Sequence, residues 1–287
     1  MRSRFVFVLV LFISTSLAAK EPLLLSLKGD FAQGGLVIGQ AAPKAQVEFN
    51  GTQLKISDDG YFVFGFHRDH EAAATLTLTK GSLKEVQPIH IRKRQYNIER
   101  VDGLPPSKVN PIKPEVLKRI RKEGAMVAAA RAKTSDLRHF MQDFIWPAKG
   151  RLSGFYGSQR VLNGDPKRPH YGVDVAAPTG TPVVAPADGI VRLAYDNMFY
   201  SGGTLIVDHG FGVSSTFIHL NSIDVEEGQV VKQGDLIATI GATGRATGPH
   251  LDWRINWFKS RLDPQLMAPP FEGNNSDTKT VMEEGRK

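Results

Sequence analysis

The 287-residue chain contains no cysteine. That excludes disulfide staples and every thiolate metal site, so stability must come from packing and any metal must be held by nitrogen and oxygen donors. It also excludes a lipoprotein anchor, which needs a cysteine after the leader. No repeat with a period of 20 to 50 residues is present, so solenoid and propeller architectures are excluded. Neither Gly202-Gly203 nor the glycine-rich stretch from Gly241 to Gly248 carries the lysine that would complete a phosphate-binding loop. These stretches read as hairpin turns or groove walls. Basic residues are dispersed rather than clustered, which argues against nucleic acid as a partner.

What is present begins with a leader. Arg2 and Arg4 precede an apolar run from Phe5 to Ile13, and Ser16-Leu17-Ala18 offers small residues at the positions a signal peptidase reads. Cleavage after Ala18 is expected, hence export across the inner membrane to the periplasm, with no transmembrane segment in the mature chain. The remainder is ordinary for a globular protein, with 41% hydrophobic and 23% charged residues. The formal net charge of +7 falls by two when the leader is removed. A basic exported protein is drawn to anionic envelope polymers.

Residues 19–100 alternate short apolar runs with turn signals. Gln46-Val47-Glu48-Phe49 leads into Asn50-Gly51, a hairpin dipeptide, and Asp58-Asp59-Gly60 turns into Tyr61-Phe62-Val63-Phe64. This spacing predicts an immunoglobulin-like β-sandwich. His67, His70 and His90 lie here without carboxylates at ligand spacing and read as surface or turn residues.

Residues 101–143 read as a linker and connector helices. Pro114 starts the first, with Val116, Leu117, Ile120 and Val127 on one stripe, and Ser135 caps a second that carries His139. From 144 to 270 the texture becomes β-branched runs between Gly and Pro: Thr181 to Ala185, Gly189 to Leu193, Gly203 to Val207, Val213 to Ile218, Gly228 to Val231, Leu236 to Ile240 and His250 to Trp257. This is a second β unit, expected to fold by itself. Residues 271–287 read as a disordered tail.

The chemistry is concentrated in this second unit. His170 and Asp174 are four residues apart where Pro169, Gly172 and β-branched neighbours predict a loop entering a strand. His250 and Asp252 are two apart in a strand, which places them on one side of the sheet. His219 sits in another strand between Ile218 and Leu220. Imidazole plus carboxylate is a normal ligand set for catalytic zinc. His209, before a glycine turn, reads as structural, satisfied by Asp208 or turn backbone.

His-x-x-x-Asp, then Phe217-Ile218-His219-Leu220, then Thr247-Gly248-Pro249-His250-Leu251-Asp252 resembles the signature of the LytM or lysostaphin-like zinc metallopeptidases, peptidase family M23. The resemblance runs from about Trp146 to Pro269 and includes Ala176-Ala177-Pro178-Thr179-Gly180 and Ala185-Pro186-Ala187-Asp188-Gly189. It implies a mainly β fold with a C-terminal LytM-type antiparallel sheet, and one Zn2+ per chain held by His170, Asp174 and Asp252. His219 and His250 would be catalytic. The implied activity is that of an endopeptidase hydrolysing the peptide cross-links of peptidoglycan. Arg160, Asn163 and Arg168 are candidates for pairing with stem-peptide carboxylates.

The chain departs from the family at Asp252, where the second imidazole of His-x-His usually stands. An aspartate has the reach to remain a ligand. Its extra negative charge should make zinc a weaker acidifier of water and displace activity toward alkaline pH. The alternative is a weak or inactive LytM-domain protein that binds and regulates cell-wall amidases or other division proteins. A third class, a biotinyl or lipoyl carrier hairpin at Lys232, lacks the usual residues around a modified lysine.

Overall fold

The computed structural model describes residues 21–272 apart from 105, 111 and 112. The expected leader, and all but the first two residues of the expected tail, lie outside these. Phe271 is not part of a free tail: its ring packs edge-on against Trp146 at 4.6 Å.

The first unit is a sandwich of two antiparallel sheets. One contains Leu24–Gly29, Leu36–Ala41 and Tyr61–Gly65; the other contains Thr52–Gln53, Gln46–Phe49, Ala73–Lys80 and Leu83–His90. Asn50 and Gly51 both have positive φ, 47° and 75°, the backbone that a two-residue hairpin with the right twist requires. Alternation then turns Val37, Phe62 and Phe64 of one sheet onto Val47, Phe49, Leu76 and Leu78 of the other. These apolar faces make the sandwich core.

One long helix, Pro114–Ala132, connects the units. Proline at its first position needs no amide donor there, and Glu115 and Arg131 sit at the ends that the helix dipole favours. The buried stripe differs from the expected one: Val116 and Ile120 are half-buried, but Leu117 is 37% exposed. The helix meets the sheet through Met126, Val127 and Ala130, which pack on Leu193, Met198 and Ile206. The helix expected from Ser135 is only a single 3-10 turn, His139–Met141. Here tertiary hydrogen bonds compete with helix formation: Ser135 N donates to Asp208 Oδ2 at 2.9 Å, and Phe211 N donates to Ser135 O at 3.1 Å.

The C-terminal unit is a ten-stranded sheet. Its backbone order is Val230–Val231, Gly189–Met198, Gly202–Gly210, Val213–Ile223, His250–Trp257, Val173–Ala176 and Arg151–Gly154. Strand alternation divides the two faces. Val173, Val175, Phe217, Leu251, Trp253 and Ile255 enter the main core, leaving Asp174, His250, Asp252, Arg254 and Asn256 on the opposite face.

The units share packing. Leu36 and Val63 of the sandwich and Phe140 of the connector belong to the C-terminal core. Asp263 N donates to Gly34 O at 2.8 Å, and the fully buried Asp263 carboxylate lies 2.8 Å from Arg94. Beyond the sandwich, Ile98–Val101 runs parallel to Gln159–Leu162 and extends a small sheet beside the site.

Candidate metal centre

The site is assembled by the pairing of two strands. In the ladder between Val173–Ala176 and His250–Trp257, Asp174 is the direct partner of Asp252 and Ala176 the partner of His250. His170 reaches the same point from the preceding loop, which is fixed by His170 N donating to Ser158 O at 2.9 Å and Gly157 N donating to His170 O at 2.8 Å. As the sequence predicts, a loop enters a strand here and His250 and Asp252 share a face.

His170 Nε2 lies 3.0 Å from Asp174 Oδ1 and 3.3 Å from Asp252 Oδ2. Despite these distances, Nε2 and Asp174 Oδ1 lack hydrogen-bond alignment and have no partner. All three side chains are buried, and one ligand atom from each lies within 4.8 Å of the others, the one such group among the described residues. Directly opposed carboxylates repel, so this arrangement fits an intervening cation. Two oxygen donors and one nitrogen donor are a three-residue set of the kind a catalytic zinc site uses.

Each carboxylate is also gripped from behind by a guanidinium. Arg254 donates to both oxygens of Asp252, Nε to Oδ1 at 2.9 Å and Nη2 to Oδ2 at 2.6 Å. Arg160 donates to Asp174 Oδ2 at 2.8 Å and lies 3.5 Å from Glu99. Burial opposes the charge of Asp252, but Arg254 and His170 outweigh it and hold the carboxyl well below its usual range. Asp174 is lowered in the same way: burial pushes it up, and His170 and Arg160 outweigh burial and the Asp252 charge. For His170, burial pushes down, and the two carboxylates more than reverse it. In the absence of metal, a proton competes for this nitrogen.

Arg254 was absent from the sequence-based site, although strand alternation from Asp252 would have found it. Arg160, expected to meet substrate, instead has its guanidinium on Asp174 and Glu99. Asn163 is also committed elsewhere, exchanging hydrogen bonds with the Leu104 backbone at 3.1 and 2.7 Å. Arg168 is exposed.

The remaining two histidines face each other, with ring centroids 4.7 Å apart. His219 does not follow regular strand alternation. It has φ of 66° at a bulge where the ladder passes from Gly203↔Leu220 to Thr204↔Ile218. Its amide donates to Ser201 O at 2.8 Å instead of joining the ladder. Such strain in a non-glycine residue needs support from its surroundings. The glycine-rich loop supplies it: His219 Nδ1 donates to Thr243 O and His250 Nδ1 to Gly248 O, both at 2.8 Å. A carbonyl can only accept, so each neutral ring carries its free electron pair on Nε2. His250 Nε2 is 4.0 Å from Asp174 Oδ1. Burial pushes His219 down to about 4, keeping it neutral at pH 7.

His209 is structural by its contacts. Its Nδ1 bonds the Asp188 carbonyl at 2.7 Å and its Nε2 the Ser215 hydroxyl at 2.9 Å, rather than Asp208. Lys232 is paired with Asp188 at 2.9 Å.

Two strands that bring His-x-x-x-Asp against His-x-Asp, beside a third strand bearing His219, form a signature, and residues 168–264 match peptidase family M23. The C-terminal domain is a member of that family. The M23 domain is 42% identical over 87 residues to the peptidoglycan DD-endopeptidase ShyB of Vibrio cholerae, covering 30% of this chain and 20% of that one. It is 36% identical over 121 residues to ShyA of the same organism, covering 42% and 28%. The chain therefore matches between 20% and 28% of the length of these curated relatives. A crystal structure of a Pseudomonas aeruginosa protein assigned to peptidase M23 is similar over both units, with a TM-score of 0.64 and 29% identity, covering 82% of this chain and 94% of that one.

Proposed function

We propose that the chain is a zinc-dependent endopeptidase that hydrolyses peptide cross-links of peptidoglycan. The observation that carries this reading is the convergence of the His170, Asp174 and Asp252 donors beside two imidazoles whose free Nε2 atoms are set by backbone carbonyls. The relatives named DD-endopeptidases support the substrate class.

A zinc ion held by His170, Asp174 and Asp252 would supply Lewis acidity toward the scissile carbonyl. The protein's own part is proton handling and orientation. His250 Nε2 accepts the proton of the attacking water and returns it to the leaving amine. His219, kept neutral by burial, orients that water as an acceptor. Arg160 and Arg254 fix the carboxylates and offset their charge, so the aspartate at 252 leaves the site less negative than its ligands alone imply.

The convergence of three metal-capable side chains, with an aspartate in the third place, favours catalysis over the regulatory alternative. Similarity to the cell division protein DipM of Caulobacter vibrioides, 32% identical over 132 residues, supports division proteins as partners. We place the protein in the periplasm, on the basis of its leader sequence and substrate. Among the described residues no helix is long and apolar enough to cross a membrane. We retain 19–100, 101–143 and 144–270 as sandwich, connector and peptidase units, with the shared packing described above.

The test is digestion of isolated peptidoglycan by the purified, zinc-loaded full chain, read by muropeptide chromatography. Cross-linked dimers should be converted to monomers. His219→Ala should retain one zinc and lose this conversion. A parent protein that binds zinc but leaves every cross-link intact would overturn the peptidase reading.

A further inference from the structure

Beyond Asp252, the polar face of the His250–Trp257 strand continues into a group of cations. Arg254 and Asn256 follow at alternate positions. Their ladder partners on Val213–Ile223 are Thr216 and Ser214, and Arg261 pairs with Asn256 from the other side. Arg131, near the end of the connector helix, comes down on this face and donates from Nη2 to Thr216 Oγ1 at 3.0 Å. Arg261 donates from Nη1 to Asn256 Oδ1 at 3.3 Å and its guanidinium lies 5.8 Å from the Tyr171 ring centre.

Two of these donors, Arg131 and Arg261, have no ion-pair partner among the described residues, although the Asp252 charge acts on Arg261 from a distance. Arg254 is satisfied by Asp252, but no carboxylate forms an ion pair with Arg131 or Arg261 among the described residues. Arg131 Nε and Asn256 Nδ2 are buried with no hydrogen-bond partner, and Asn256 as a whole is 1% exposed. Burial, with the neighbouring Arg254, lowers Arg261 to about 10. Burial, followed by Arg261 and Arg254, lowers Arg131 well below its usual value. A buried, unpartnered donor is costly, and clustered guanidiniums make it more so. A planar oxyanion would relieve both penalties, because a carboxylate accepts two parallel N–H bonds from a guanidinium.

We infer that Arg131, Arg261 and Asn256 form a carboxylate-binding subsite that takes a free carboxylate of the substrate peptide. The inference rests on the peptidase reading for the identity of the ligand. Asn256 is four residues from Asp252, roughly 13 Å along an extended strand, and the long arginine side chains shorten that span. The subsite therefore selects peptides with a carboxylate within a few residues of the bond at the metal centre. Arg168 stands near Arg261 and adds a further positive charge at the solvent side.

The test uses two N-acetylated tetrapeptides of stem-peptide sequence, one with a free C-terminal carboxylate and one with a C-terminal amide. Binding to the zinc-loaded full chain is measured by calorimetry in a His219→Ala background to prevent turnover. The acid should bind about tenfold more tightly, the difference expected from one charge-assisted pair. Arg131→Gln and Arg261→Gln should each erase that preference while zinc stays at one per chain. Both should keep or raise the melting temperature, because each relieves cation crowding. Asn256→Asp supplies an internal carboxylate, so it should raise the melting temperature and also erase the preference.

A preference that survives in the Arg131→Gln/Arg261→Gln double variant would place the carboxylate elsewhere and overturn the inference. So would equal binding of acid and amide by the parent. Stabilisation by inorganic sulfate alone, lost in the double variant, would show an anion site that is not for substrate and overturn the substrate assignment. A preference for the acid in a protein that never cuts peptidoglycan would defeat the peptidase reading and leave the subsite standing.

Discussion

Asp174 and Asp252 are direct partners across an antiparallel ladder, with His170 Nε2 within 3.3 Å of both and one arginine behind each. The pair holds two buried negative charges directly opposite each other, and an arginine contacts each. A cation between the carboxylates is the missing attraction, so metal binding should be coupled to folding stability.

Removing metal should therefore lower the melting temperature. A site occupied at a hundredfold excess over its dissociation constant contributes about 2.7 kcal/mol. Differential scanning calorimetry with chelator, then with zinc restored, should show a reversible drop of several degrees. Asp174→Asn should remove most of that dependence. An unchanged transition would contradict a metal at this position.

Replacing Asp252 by histidine restores the commoner family residue but strips Arg254 of its counter-charge. Breaking a buried pair costs about 3–5 kcal/mol. Arg254 keeps 23% of its side chain exposed, so solvent reduces the loss to about 1–3 kcal/mol. Urea denaturation should show that deficit in Asp252→His and its recovery in Asp252→His/Arg254→Met. The expected alkaline displacement of activity in the parent is correspondingly smaller than the extra carboxylate alone implies, because Arg254 offsets its charge.

Short-range order made the shared face of His250 and Asp252 legible, whereas the ligand triad came from the family resemblance and its assembly depends on the long-range pairing of Asp174 with Asp252. The His250–Trp257 strand has its expected bounds, and a period of two fixes which residues share a face. Arg254 was legible by the same rule. His219 was not: its bulge depends on Ser201, Gly203 and Thr243, which lie far away in sequence. Nor was the loss of the Ser135 helix, since the backbone groups that a helix would use are taken by Asp208 and Phe211. Arg160 could be identified as cationic and near His170, but only the fold reveals that it faces Asp174.

Two glycines make room for the carboxylates. A Cβ at Gly154 would meet Asp174 Oδ2 at 2.2 Å, and one at Gly172 would meet Asp252 Oδ1 at 2.4 Å. Gly154→Ala and Gly172→Ala should reduce zinc retention after dialysis by at least about tenfold, about 1.4 kcal/mol, with near-native circular dichroism. Gly248→Ala, with nothing within 4 Å of the added atom, should retain its metal.

Two buried histidines set an acid limit. Burial lowers His209 and His219 to about 4 each. Unfolding returns them to near 6.5, so the unfolded chain binds more protons between those values. Stability from this source is full above pH 6.5 and falls as the pH drops toward 4, by roughly 3 kcal/mol per histidine. Chemical denaturation across this range should show that slope. His209→Gln, which has no metal or substrate role, should flatten it by about half.

A fragment beginning at residue 144 tests whether the peptidase unit is autonomous. Its texture suggested independent folding, but the cut removes Leu36, Val63 and Phe140 from the core in which Val173, Phe217 and Trp253 lie. It also removes Arg94, leaving the buried Asp263 carboxylate without its ion-pair partner, and the Ile98–Val101 strand beside the site. Losing one large core side chain costs about 2–5 kcal/mol, and the buried unpaired charge adds a similar amount. The total is comparable to the stability of a whole domain. Residues 144–272 expressed alone should be insoluble or show no cooperative thermal transition, whereas residues 21–272 should melt cooperatively. A soluble, sharply melting fragment that binds one zinc would show that the sandwich packs against a finished domain.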